Sequence, residues 1–150
     1  MLEFEVRGIK SYLKRLQAIS NELDSLEDFY RGPAVRVMKR AFADIFRGEG
    51  ATRRTQRWKP HSSSTRARRA RSGGRGKILW DTGRLRASYV SNPSVHVSRA
   101  GLRIGSNLPY ARYHEQGTRH IPARPVVAYA QELSGRRLQI ALNKYLRGKL

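Results

Sequence analysis

The 150 residues carry 31 Lys and Arg against 11 Asp and Glu, a net charge of +20, with no cysteine and 39% hydrophobic residues. One domain with its own core is expected at this length, and a chain without cysteine holds neither disulfides nor thiolate metal or redox centres. No apolar stretch approaches the ~20 residues of a spanning helix, and Met1-Leu2-Glu3-Phe4-Glu5 does not open a secretory signal, so a soluble, non-secreted chain that engages no membrane is expected.

Leu2, Phe4 and Val6 alternate with Glu3, Glu5 and Arg7, the period of a short strand with one buried face, which Gly8 ends. Ile9, Leu13, Leu16, Ile19, Leu23 and Leu26 recur every three or four residues and predict a helix over about 9–29. Gly32-Pro33 is expected to stop it and start a second helix, giving a helical hairpin. Ala34, Val37, Met38, Ala41, Phe42 and Ile45 form the second apolar stripe, with Gly48 and Gly50 as caps.

The charge is concentrated next. Its balance is +1 over residues 1–50, +10 over 51–77 and +9 over 78–150. Apart from Trp58, residues 51–77 hold little that is apolar, and such a composition predicts a long basic loop, mobile in the isolated protein, that orders on a partner.

Asp81 or Thr82 then caps a short helix carrying Leu85 and Ser88, while Tyr89 and Val90 read as extended. Val95 and Val97, then Leu102 and Ile104, alternate with polar residues around Arg99-Ala100-Gly101, the pattern of a β-hairpin. Pro109 opens a short helix through Tyr110, Ala111, Tyr113 and His114 that Gly117 ends, and Pro122 and Pro125 keep the following stretch extended. Leu133, Arg137, Ile140, Ala141, Lys144 and Tyr145 mark a terminal helix. The expected fold is α+β: an N-terminal strand and helical hairpin packed on a small antiparallel sheet, with a long basic loop and a C-terminal helix.

Chemistry at a catalytic site is not indicated. His114-Glu115 with His120 lacks the spacing of a metalloprotease helix, because imidazoles six apart do not share a helix face and Gly117 lies between them. Asp81, Glu115 and Glu132 are the only carboxylates after Glu49, and Ser88 and Ser106 have no recognisable base. Gly73, Gly74 and Gly76 precede Lys77, but Ile78 stands where a phosphate-binding loop needs Ser or Thr. No catalytic, metal or cofactor site is therefore expected. The arginines are the stronger candidates: Arg53, Arg54, Arg57, Arg66, Arg68, Arg69, Arg71, Arg75 and Lys77, with Arg136 and Arg137, suit phosphates or an acidic protein surface.

Three phrases in the second half carry a resemblance. They are Ile78-Leu79-Trp80-Asp81-Thr82-Gly83-Arg84-Leu85 with Ser88; Ile104-Gly105-Ser106-Asn107-Leu108-Pro109-Tyr110-Ala111 with His114 and Gly117; and Ile121-Pro122-Ala123-Arg124-Pro125. Each is common alone. In this order and spacing, and with Trp58-Lys59-Pro60 and Thr65 upstream, they resemble the virion morphogenesis or tail completion family of tailed bacteriophages, which includes the neck proteins of Mu-like phages. The resemblance spans roughly residues 55–127. Two departures stand out: Val126-Val127-Ala128 is smaller than the apolar residue usual after the Arg-Pro pair, and residues 61–77 are unusually rich in arginine.

The resemblance implies a structural, non-enzymatic protein of the virion neck, assembled in the host cytoplasm. It would form a closed ring, expected to hold six copies, that completes the tail and joins it to the DNA-filled head. Implied partners are further copies of itself, the head-connector and tail tube or terminator proteins, and the packaged double-stranded DNA. Gly83, Gly105 and Gly117 would serve tight turns, and Trp58, Leu85, Tyr110, Tyr113 and Arg124 would make assembly contacts. Two other readings stay open. One is a free nucleic-acid-binding protein using the Arg-rich loop, and the other is a metal hydrolase using His114 and His120.

Overall fold

The computed structural model describes residues 14, 16–18, 20–21, 26–73 and 76–148. The strand expected at residues 2–6 lies outside them. Of the first helix, residues 14, 16–18, 20, 21 and 26–29 are described, and all are helical. Among the described residues the fold is α+β, with helices around one two-stranded antiparallel sheet and a long helix at the C-terminal end.

Gly32-Pro33 does not break the chain into a hairpin. Tyr30–Ala34 form a π-helical turn, with right-handed helical backbone at Phe29 before it and Val35 after it. A regular helix would lose the N–H of Pro33 and press its ring on the carbonyl four residues back. A widened turn relieves the clash without a reversal. The chain then enters helix α1, Val35–Arg47, whose Met38, Ala41, Phe42, Ile45 and Phe46 are buried on one side, as the stripe requires. Gly48 caps it, and its N–H donates to Asp44 O at 2.9 Å.

Residues Ser63–Arg71, expected as loop, form helix α2. Its Ser62 cap accepts from the Thr65 N–H at 3.3 Å, alanine and arginine are good helix formers, and Arg68, Arg69 and Arg71 face the negative end of the helix dipole. None of its residues is buried. Low apolar content denies the segment a core but not a capped helix.

Helix α3 spans Arg84–Val90 and follows Gly83, which takes φ +81°; Thr82 contributes an oxygen 3.4 Å from the Arg84 N–H, and Asp81 does not cap. Tyr89 and Val90 are helical rather than extended. The reason is packing, because the helix brings the Tyr89 ring to 5.1 Å from Phe42 and 5.9 Å from Phe46. Strands β1, Ser94–Ser98, and β2, Gly101–Gly105, make the expected hairpin, with Val95 opposite Ile104 and Val97 opposite Leu102. Gly105, expected in a tight turn, instead pairs with Ser94 at the end of β2.

Helix α4 covers Ala111–Gln116 and ends at Gly117, with φ +75°. Helix α5, Val127–Arg147, starts six residues before the first position of the expected stripe and packs along α1. The core joins α1 and α3 to Trp58, Ile78, Leu79, Ala111, Val126 and Ala130. Burying each large apolar side chain in it contributes about 1.5–3 kcal/mol. Among the described residues, no helix is long and apolar enough to cross a membrane.

Candidate assembly surface

The segment between α1 and α2 is held by its aromatic residue. The Trp58 indole packs edge-on against Phe46 at 5.8 Å, its Nε1 donates to Pro125 O at 3.0 Å, and its backbone N–H donates to Glu49 O at 2.7 Å. One residue further, Lys59 O accepts from Nε and Nη2 of Arg124 at 3.2 and 3.1 Å. Residues 58–59 and 124–125 are thereby tied across the protein. Gly50 makes room for this, since it has φ +88° and a Cβ there would sit 2.7 Å from the indole Cδ1.

Trp58, Leu85 and Arg124 are 3%, 6% and 4% exposed. The first two fill the core, and the third spends two donors on an internal carbonyl. Such residues shape the surface from beneath.

The corner that Arg124 enters is built around Glu115. One carboxylate oxygen accepts from the backbone N–H groups of Val126 and Val127 at 2.7 and 3.1 Å, and the other from Ala128 at 3.0 Å. A negative charge on three orphan donors at the positive end of a helix is a strong cap, and it explains the early start of α5. Arg124 N–H donates to His114 O at 2.6 Å, and Thr118 N–H to Ile121 O at 2.8 Å, closing the loop between α4 and α5. Gly117 is needed there, because a Cβ would lie 2.8 Å from Ala123 N. On the outside of this braced corner Tyr110 and Tyr113 are 38% and 43% exposed. Arg112 covers the Tyr113 ring at 4.9 Å and donates to its hydroxyl at 3.0 Å.

The cationic residues divide into two groups. Arg53, Arg54, Arg66, Arg68, Arg71, Lys77 and Arg136 are exposed; Arg75 lies outside the described residues. Three others are committed within the chain. Arg57 pairs with Glu49, Arg137 donates to Asp44 at 2.8 Å and so joins α5 to α1, and Arg69 donates to Lys77 O at 3.2 Å. Most of the exposed set lies on α2 and the Thr52–Thr55 turn. Lys77 and Arg86 also stand over the Trp80 ring at 5.2 and 4.8 Å.

Burial pushes the Glu49 carboxyl up, but the Ile78 N–H at 2.8 Å, the Arg57 pairing and the Lys77 charge outweigh it and leave it below the ordinary carboxylate value. Burial of the Tyr89 hydroxyl, with the Glu115 charge, raises it to about 12.

Ser88 and Ser106 come together at 2.6 Å and fasten α3 to the loop after β2. Ser88 also donates to Leu85 O at 2.8 Å, and Ser106 accepts from the Leu108 N–H. His114 lies on α4 and His120 in the exposed loop beyond Gly117; among the described residues no three His, Cys, Asp or Glu side chains are grouped as metal ligands would be. Sequence reasoning missed the capping role of Glu115 and the linking role of Glu49. Neither has a local signature, because Ile78 is 29 residues from Glu49, and Val126–Ala128 are 11 to 13 from Glu115.

A sequence model of the phage virion morphogenesis family matches residues 5–146, taking in the Trp58 tie, the basic helix and the Glu115 corner alike. No curated protein and no solved structure matches the chain.

Proposed function

The chain belongs to the phage virion morphogenesis family, and from that membership we propose that it is a structural, non-enzymatic subunit of the virion neck. In this reading copies close into a ring, with six expected, by head-to-tail contacts; the ring completes the tail and joins it to the DNA-filled head. The observation that carries it is the family match over nearly the whole chain, from residue 5 to residue 146.

The geometry supports a building block. The residues shared among the family-like phrases form a braced frame inside the subunit, and Tyr110, Tyr113 and the α2 arginines stand outside it. Exposed tyrosines on a rigid corner supply contact area at low entropic cost. The exposed arginines dock on acidic faces of head-connector or tail proteins, or on the duplex within the ring. Protein docking is favoured, because a lumen lined with arginine would grip DNA that must slide.

Exposure of the arginines along α2 keeps a second reading alive, a free nucleic-acid-binding protein. Sedimentation of the purified chain, together with its affinity for arbitrary duplex at several salt concentrations, separates the two. A neck subunit sediments as a closed oligomer, or as a monomer with weak duplex affinity that assembles on neck components. A monomer that binds duplex tightly, with a steep salt slope, overturns the neck reading.

A further inference from the structure

A cavity of about 260 Å³ opens between α2, the Asp81–Gly83 turn and α4. Its charged lining is one-sided. Arg69, Arg124, His61 and His114 all border it, against the single carboxylate of Asp81. That carboxylate is 66% exposed and lies 3.9 Å from Arg69, too far and too wet to neutralise the interior. Arg124 gives two of its donors to Lys59 O, a neutral carbonyl that does not balance its charge.

The two imidazoles have unmet needs as well. His61 Nε2 and His114 Nδ1 are buried and have no hydrogen-bond partner. Burial first, then the Arg69 and Arg124 charges, holds His61 below its ordinary value, with Glu49 and Asp81 acting weakly the other way; burial and Arg124 do the same to His114. Burial and Arg69 lower Arg124. The arginine charges thus disfavour the cationic forms of the two imidazoles beside this space, and an anion in it would relieve that.

We infer that this cavity receives one carboxylate, carried by an acidic side chain of a neighbouring protein in the assembly. The neighbour rests on the neck reading; the site itself does not. Leu79 and Leu85 also line the space, so it offers an apolar wall for methylenes beside a cationic wall for the head. An aspartate or glutamate side chain has that two-part character. A phosphodiester flanked by sugars does not. A planar guanidinium also suits a planar carboxylate.

The test is an NMR titration of the His61 and His114 side chains in the full-length protein, with acetate, inorganic phosphate or a short duplex added in turn. Acetate is expected to saturate and to raise both imidazole midpoints by about one pH unit. By linkage its affinity rises as pH falls through the imidazole midpoints, as long as the acetate itself stays ionised. Arg69→Gln is expected to weaken acetate about tenfold, and Arg103→Gln, an exposed change on β2, to leave it unaltered. Asp81→Asn, exposed and safe for folding, is expected to tighten it. Acetate that moves neither midpoint, or binds equally well to wild type and both pocket variants, overturns the proposal. Phosphate or duplex acting well below the acetate concentration overturns it in favour of nucleic acid. Because binding is read on the isolated protein, its failure leaves the neck reading standing, and a failed neck reading leaves the binding result intact.

Discussion

Gly50 and Glu49 show how much rests on single positions at the end of α1. Gly50 combines φ +88° with an indole where its Cβ would be, whereas Gly73, at φ +65°, has nothing within 4 Å. Gly73→Ala is therefore expected to cost about 1–2 kcal/mol from the backbone alone, read by amide exchange within α2, which opens locally. Gly50→Ala adds overpacking and is expected to cost about 1–3 kcal/mol more, measured by urea unfolding. The depressed Glu49 carboxyl has a pH signature. Its folded value lies below its unfolded one, so its contribution is complete above ~4.3 and is lost as pH falls through the folded value. Glu49→Gln is expected to flatten the acid limb of the stability curve, and an unchanged limb would contradict the Ile78 and Arg57 contacts as its cause.

Among elements, α5 and α2 owe their starts to caps of different reach. Glu115 holds α5 from another helix through three N–H groups, and α5 packs on α1, so Glu115→Ala is expected to lower global stability by about 2 kcal/mol or more. Glu132→Ala, on the exposed side of α5, serves as the control and is expected to change little. Ser62 caps α2 locally, and α2 buries nothing. Ser62→Ala is therefore expected to speed amide exchange within residues 63–71 about fivefold, for a loss of about 1 kcal/mol, while the unfolding midpoint stays put. These elements also show what could be read in advance. The stripe of α1, the β-hairpin and the Gly117 stop are repeats or local punctuation, and they were legible. The helical Tyr89 and the early start of α5 depend on partners far along the chain, and no local pattern encodes them.

In the whole molecule, a frame of internal ties carries an exposed cationic helix and a tyrosine corner. The glycines, prolines and Arg124 of the family-like phrases build that frame. A sequence phrase does not distinguish a residue that touches a neighbour from one that holds such a residue in position, and within the subunit Trp58, Leu85 and Arg124 are buried. The +20 charge repels free copies of the chain and favours contact with negative surfaces. Electron microscopy of phage particles produced without this protein tests the neck role most directly. Separate DNA-filled heads and unjoined tails are the expected result, and intact, infectious particles would contradict it.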